Sequence, residues 1–261
     1  MVSIVTPTYN SEEFLEECIL SIKGQRRQNF EHIIVDGCST DGTLDIIRKY
    51  EGTYPMRWIS EKDGGMYEAI AKGFRMAKGD IFAWLNSDDM YMPWATYAME
   101  RICKTGRVQW CTGIPAHYNA AGMQYVPYFS IPLYAWPLLK KGWYDGQRLG
   151  WIQQESSFWT RQLYESAGGL DTGLKYAGDY DLWCRFAQFA PLYSTNVVVG
   201  GFRKHKGQKS SAWEKYRAEQ PPFGAREQTL KNCRWYYIRE KWQTRIRKNI
   251  HFIPLQHCPE I

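Results

Sequence analysis

Six aspartates carry the first chemical signal. Asp36, Asp63, Asp88 and Asp89 end or follow short β-rich runs, and Asp179 and Asp181 open a helical pattern much further along. The sharpest feature is Asn86-Ser87-Asp88-Asp89, directly after Ile81-Phe82-Ala83-Trp84-Leu85, which reads as buried. Two adjacent carboxylates at a strand end repel one another unless one is protonated or a cation stands near. A hard divalent ion, Mn²⁺ or Mg²⁺, uses such oxygens and still coordinates a phosphate. The ligands are too few for a closed zinc or calcium cage, so an open site completed by water and substrate is expected. The segment Gly201-Phe202-Arg203-Lys204-His205-Lys206-Gly207-Gln208-Lys209-Ser210 supplies cations that could close over a diphosphate, with His205 reaching the metal or a phosphate and Lys209 adding charge. Each feature alone has a plainer reading. Asp36 and Asp41 could cap a turn and a helix, Asp63-Gly64-Gly65 could be a turn, and Asp88-Asp89 could favour the positive end of a helix near Pro93. The basic loop could be solvated surface.

Whether the acids meet depends on the elements between them. Val2–Thr6, Phe30–Val35, Met56–Ser60 and Ile81–Leu85 read as strands. They alternate with helical stripes through Phe14, Leu15, Cys18, Ile19 and Ile22, through Leu44, Ile46 and Ile47, and over Met66–Lys78. Asn10, with Glu13 three positions on, reads as a capping box for the first helix. This alternation predicts an α/β fold with a mainly parallel central sheet flanked by helices. Right-handed crossovers then bring the loops after successive strands, and their acids, to one sheet edge. Further on, Val108–Thr112 and Ser194–Val199 read as strands, Trp151–Trp159 as a segment that could pair as one, and Arg161–Ala167 and Asp179–Phe189 as helices. Residues 113–150 read as an irregular, aromatic- and glycine-rich region. The expected organisation is one α/β domain over 1–211, made of a first half at 1–112 and a second half at 113–211. A basic, aromatic helical extension follows at 212–261.

Composition narrows the function. Aromatics make up 16% of the 261 residues, enough to ask whether some meet a ligand. Sugars offer C–H faces to aromatic rings, so Trp151, Gln154 and Trp159 are candidate acceptor contacts, against the alternative of a local aromatic core. The opening MVSIVTPTYN lacks a basic n-region and no apolar run reaches ~20 residues, so neither a secretory signal nor a membrane span is expected. Seven cysteines without C-x-x-C spacing suggest neither a disulfide framework nor a zinc knuckle, and fit a cytoplasmic setting. The net charge of +6 is uneven, with residues 1–200 slightly acidic and residues 201–261 strongly basic. Trp235, Tyr236, Tyr237, Trp242, Arg245, Arg247 and Lys248 suit an anionic membrane surface, which would make the protein peripheral on the cytoplasmic face, or else pack as helix. The tail has no RNA-recognition pattern, so nucleic acid is not an expected partner. There is no G-x-G-x-x-G after the first strand, no Walker motif and no G-x-S-x-G elbow, which disfavours dehydrogenase, P-loop and α/β-hydrolase readings.

The ordered set of motifs resembles inverting glycosyltransferases of the GT-A fold, family 2, of the kind that build bacterial polysaccharides. Ser3-Ile4-Val5-Thr6-Pro7-Thr8-Tyr9-Asn10 is similar to their opening strand, Val35-Asp36-Gly37-Cys38-Ser39-Thr40-Asp41-Gly42-Thr43 to the second signature, and Glu61–Gly73 to the third. Asn86-Ser87-Asp88-Asp89 stands in the place of their D-x-D-type metal motif. Gly168-Gly169-Leu170-Asp171 and Gly178-Asp179-Tyr180-Asp181-Leu182-Trp183 resemble the acceptor-side and base segments. The resemblance implies that Thr6, Pro7 and Tyr9 line the base pocket and that Asp36 accepts a hydrogen bond from the base, uracil being the first expectation. It places Asp63 and Lys72 near base and diphosphate, Asp88 at the ribose and metal, and Asp89 as principal metal ligand. It makes Asp179 the general base. Gly178 stands where the family often has Glu, and Asp181 is the alternative base or its support. The implied reaction moves a sugar from a UDP-sugar to a glycan or lipid-linked acceptor hydroxyl by single displacement, assisted by Mn²⁺ or Mg²⁺. A sugar-phosphate nucleotidyltransferase and a non-catalytic sugar- or membrane-binding module are the competing expectations.

Overall fold

The opening run VSIVTPT is β-branched at five of its seven positions and wholly buried, forming β1 (Val2–Thr8). The computed structural model describes residues 1–127, 131–221 and 251–254. The other strands are β2 (Phe30–Asp36), β3 (Met56–Ser60), β4 (Ile81–Trp84), β5 (Met90–Tyr91), β6 (Trp110–Asn119), β7 (Gln124–Pro127), β8 (Ser157–Thr160), β9 (Tyr193–Lys204) and β10 (His251–Phe252). The helices are α1 (Leu15–Lys23), α2 (Thr43–Tyr50), α3 (Met66–Met76), α4 (Ala95–Cys103), α5 (Trp136–Leu139), α6 (Arg161–Ser166), α7 (Gly178–Phe189) and α8 (Trp213–Glu219). One sheet runs β10-β9-β6-β8-β4-β1-β2-β3, with β5 paired to β9 and β7 to β6 off that path. Along the path β8 alone is reversed, antiparallel to both β4 and β6. The parallel strands therefore point their C-terminal ends to one edge, as the alternation predicts.

Packing explains most of the aromatic excess. Trp84 (β4), Trp110 (β6), Trp159 (β8) and Trp183 (α7) meet in the core with centroid separations of 5.4–6.0 Å, and all four are buried. Offset and edge-to-face contacts of this kind add to simple area burial. Trp159 is thus a core residue, and the expectation that it touches an acceptor is corrected.

Three local expectations also change. Asn10 is not the cap of α1. It sits at φ 47° and its Oδ1 accepts from Thr40 N at 2.9 Å, tying the loop after β1 to the loop after β2. Asn tolerates this left-handed region better than most residues, and α1 starts at Leu15 after Phe14 with no side-chain cap. Residues 113–119, expected to be irregular, are instead the larger part of a ten-residue β6. The C-terminal region holds helix at Trp213–Glu219 and a strand at His251–Phe252, so it is not helical throughout. Trp235 to Lys248, named above for a membrane surface, lie outside the described residues. Among the described residues no helix is long and apolar enough to cross a membrane.

Candidate active site

Above the C-terminal edge of the sheet lies a cleft of about 970 Å³. Its walls include Pro7, Tyr9, Asp63, Asp88, Trp151, Gln154, Asp179, His205 and Lys209. Nine positions expected from sequence thus converge from segments more than 200 residues apart. Asp36, Asp89, Thr6, Lys72, Asp181 and Trp159 do not line it, and each has a physical reason.

At the β1–β2 end, Thr6 lies deeper in the strand and meets His32, whose Nε2 lies 2.8 Å from Thr6 Oγ1, while Pro7, Thr8 and Tyr9, nearer the sheet edge, reach the cleft. Asp36 is fully buried and saturated. It accepts from Thr8 Oγ1, the Ser39 amide and hydroxyl, and Ser60 Oγ. It thereby fixes the floor of the pocket without opening onto it. Asp63 is the acid that faces the cleft here. Its Oδ1 accepts from Gly65 N at 2.8 Å, and burial pushes its carboxyl above the usual range. Gly37 makes room for it, since a Cβ there would stand 3.1 Å from Asp63 Oδ2 and 3.4 Å from the Tyr9 ring. Lys72 is spent on Glu61 at 3.0 Å and Glu68 at 3.4 Å, with Nζ donating to Lys62 O, so it steadies the 61–65 loop from outside.

The two acids after β4 divide. Asp88 faces the cleft, whereas Asp89 turns inward, is 1% exposed, and accepts from Arg203 N at 2.9 Å and Asn86 Nδ2 at 3.3 Å. Burial, with Asp88 and Glu155 nearby, pushes the Asp89 carboxyl well above its ordinary value. Asp89 therefore faces the interior rather than the cleft, and of the two acids expected at a metal only Asp88 reaches it. Opposite Asp88 stands His205, with Nε2 2.9 Å from Asp88 Oδ2 and Nδ1 2.8 Å from Lys206 O. A carbonyl only accepts, so Nδ1 must carry hydrogen. A neutral ring then aims the Nε2 lone pair at a carboxylate, and the contact calls for a proton or a cation between the two. Among the described residues, no three His, Cys, Asp or Glu side chains converge on one point.

The sequence reading took Arg203 only as one cation of a basic loop that could close over a diphosphate, and the structure gives it another place. It is wholly buried at the end of β9, donating to Asp88 O, Ala120 O and Glu17 Oε2, with its guanidinium 4.8 Å from the Phe14 ring. Gln154 is a second strut, donating to Trp84 O at 2.6 Å and accepting from Asn86 Nδ2. The signal available for Arg203 was its place two and four residues beyond Gly201 and Val199 on the inward face of a strand.

At the far end, α7 separates its two acids. Residues two apart on a helix differ by ~200°. Asp179 faces the cleft, while Asp181 pairs with Arg185 at 2.5 Å, and Arg185 also holds the carbonyls of Ala167 and Gly169. Asp179 Oδ1 accepts from Tyr216 OH at 3.0 Å, and burial pushes its carboxyl up to about 6. Tyr67 from α3, Tyr216 from α8 and Glu155 from residues 154–156 surround it. Gly178 has its own reason, because a Cβ there would sit 2.7 Å from the Tyr67 ring that roofs Asp179. Trp151, Trp213 and Tyr216 form an aromatic wall beside the acid, with centroids 4.7–5.8 Å apart.

Glu155 also lines the cleft. It is 2% exposed, Oε1 has no hydrogen-bond partner, and burial pushes the carboxyl up to about 8. A raised carboxyl favours folding most while protonated, below the unfolded value of 4.5, and that contribution is lost as pH rises through about 8. Glu155→Gln, which imitates the protonated acid, should therefore gain on the wild type between pH 5 and pH 9 in metal-free thermal melts. A relative gain of roughly 2–4 °C for each kcal/mol is expected, and melting temperatures that stay parallel across that range would exclude a buried ionisation at Glu155.

Comparison with known proteins bears on the family and the fold. The family model described as Glycosyl transferase family 2 matches residues 3–146. TuaG of Bacillus subtilis, provisionally named a teichuronic acid biosynthesis glycosyltransferase, is 36% identical over 110 residues, covering 40% of this chain and 44% of TuaG. An uncharacterized glycosyltransferase of Mycobacterium tuberculosis is 28% identical over 208 residues, covering 77% of this chain and 74% of that protein. Staphylococcus aureus TarS residues 1–349, solved with UDP-GlcNAc, superposes with a TM-score of 0.64 at 20% identity over 81% of this chain and 60% of TarS 1–349. The Pyrobaculum calidifontis mannosyltransferase PcManGT, solved with GDP-Man and Mn²⁺, gives 0.61 at 20% identity over 91% and 64%. The chain spans about half to two thirds of the length of the curated relatives first matched. These likenesses give the mainly parallel sheet its name, the GT-A nucleotide-sugar transferase fold. With the family model covering more than half of its length, and its acids gathered at the edge where such sheets bind ligands, the chain belongs to glycosyl transferase family 2.

Proposed function

We propose that this glycosyltransferase moves a sugar from a nucleoside diphosphate, UDP first, to a saccharide hydroxyl by single displacement with inversion, in cell-surface glycan assembly. The observation that carries the reading is that Asp88, beside His205, and Asp179, beside Tyr216, stand on the walls of one cleft. Pro7, Thr8, Tyr9 and Asp63 suit a base pocket, Tyr9 offering an exposed ring and Asp63 a fixed acceptor. Asp88 and His205 supply one oxygen and one nitrogen ligand, a set that fits Mn²⁺ or Mg²⁺ with its other positions open to water and phosphate. When bound, such an ion neutralises charge growing on the leaving diphosphate. Lys209 adds positive charge on the same wall. Asp179 takes the proton of the acceptor hydroxyl as it attacks the anomeric carbon, and its raised affinity for a proton suits a base near neutral pH. No protein nucleophile is needed, so one displacement inverts the anomeric centre. Trp151, Trp213 and Tyr216 offer the acceptor ring a flat, apolar face.

A donor screen tests this. UDP- and GDP-sugars are supplied with Mn²⁺, Mg²⁺ or EDTA, and nucleotide release is followed. UDP release with metal, lost in EDTA and reduced ~10²-fold or more in Asp88→Ala, is the expected result. Pyrophosphate release would instead favour nucleotidyl transfer, and binding without turnover of any donor would favour a non-catalytic module. Metal-independent turnover by Asp88→Ala at the wild-type rate would remove the metal from the reading.

A further inference from the structure

Helix α7 has no cap of its own. Ala177 precedes it without a side-chain hydrogen bond, yet its first turn carries Asp179. The cap comes from α8 instead. The Glu219 carboxylate accepts from the amides of Lys175 at 3.0 Å, Tyr176 at 2.5 Å and Ala177 at 3.1 Å. A carboxylate on successive amides at a helix's positive end is a favourable, charge-assisted arrangement. The same short helix presents Tyr216 to Asp179 and Trp213 to Trp151, and the next residue, Gln220, donates to Asp145 O at 3.0 Å.

None of the α8 residues is fully buried, and the helix is held over the cleft by the packing of Trp213 and Tyr216 on Trp151. The polar contacts at its end add to that packing. We propose that Glu219 is a positioning residue: by capping α7 from the neighbouring helix it holds α8, and with it Tyr216, against the base Asp179. One carboxylate thus couples two things that the chemistry needs together, the orientation of the base and the covering that excludes water from it. Losing the cap frees three amides and lets α8 leave. Asp179 then loses both the Tyr216 hydrogen bond and its burial. The burial contribution is the larger, so its proton affinity falls towards that of an ordinary carboxylate.

The inference rests on the proposed transfer reaction, and its test separates the two. Full-length wild type, Glu219→Ala and Glu219→Gln are compared in amide hydrogen exchange and in UDP release from UDP-GlcNAc with Mn²⁺, water serving as acceptor. Exchange at Lys175, Tyr176 and Ala177 should quicken at least ~10-fold in Glu219→Ala and less in Glu219→Gln, which keeps one acceptor oxygen. Turnover should fall ~10-fold with the KM for UDP-GlcNAc within about twofold, and the acid limb of the rate profile should move below 6. Exchange that does not change overturns the contact. Faster exchange with an unmoved rate and pH profile makes the contact merely structural and overturns the positioning role. No UDP release by the wild type counts against the transfer reading itself, and the inference falls with it.

Discussion

Asp179→Asn is expected to lower kcat for sugar transfer by ~10²–10⁴-fold while nucleotide affinity stays within about twofold. Asparagine keeps the size of the side chain and an oxygen for Tyr216 to donate to, but it cannot take a proton. The pH profile gives a second reading of the same group. Burial lifts the Asp179 carboxyl to about 6, so wild-type turnover should fall on the acid side through that value rather than near the ordinary 3.8. The sign for stability is opposite. A carboxyl raised in the folded state binds its proton more tightly folded than unfolded, so protonating Asp179 between about 6 and 3.8 favours the fold. Activity should therefore be lost on acidification before this group contributes to unfolding, and a melt at pH 5 should still show a folded, inactive protein. Initial rates from pH 4.5 to 8, with UDP titrations alongside, check both points. If Asp181→Asn causes the loss and Asp179→Asn does not, the base is misassigned. That outcome would require Asp181 to leave Arg185, which it holds at 2.5 Å on the other side of α7.

Much of the frame was legible because it depends on local pattern. The buried runs of β1, β2 and β4, the apolar stripes between them and the turns at Gly37 and Gly64-Gly65 are all short-range signals, and a parallel topology does the rest by collecting strand ends. The facing of individual side chains was less legible. Thr6 and Thr8 share one side of β1 and differ in how near they stand to the sheet edge. Asp88 and Asp89 are neighbours of the same type, and they are told apart by Arg203, an interaction that spans more than 100 residues. Trp151 and Trp159 are the same residue type eight positions apart, one on the cleft and one in the core, because Trp159 lies on β8, which sequence could not place between β4 and β6. Tyr216 and Glu219 gave no signal because their partners, Asp179 and the amides before α7, are met only in the folded chain. The motif strings named the acids without saying which would be free. Asp36 shows this best, since four donors from its own chain occupy it.

Arg203→Met is expected to destabilise the protein by ~2–4 kcal/mol, lowering the melting temperature by roughly 2–4 °C per kcal/mol. The size follows from what the guanidinium leaves behind. Methionine fills the space but donates nothing, so the carbonyls of Asp88 and Ala120 lose their Arg203 donors where the side chain was wholly buried. Glu17 contributes less, because its side chain is about half exposed and returns to water when its partner goes. Arg203→Lys restores a charge near Glu17 but cannot reach all three acceptors, so it should recover only part of the loss. Glu17→Gln alone should cost under ~1 kcal/mol, and combined with Arg203→Met it should add little, because the ion pair is already broken. The Asp89 carboxylate is held by the backbone amide of Arg203, which no side-chain change removes, so β9 should stay docked on the acidic turn in the folded fraction. Asp88 then loses the anchor on its carbonyl while keeping its place in the chain. Below the melting temperature, Arg203→Met should need more Mn²⁺ for half-maximal turnover than wild type, with the acid limb set by Asp179 unmoved. A melting temperature within 1–2 °C of wild type would mean that the guanidinium sits in the turn without holding it. A shifted acid limb would mean that the donor and acceptor ends of the cleft are not independent.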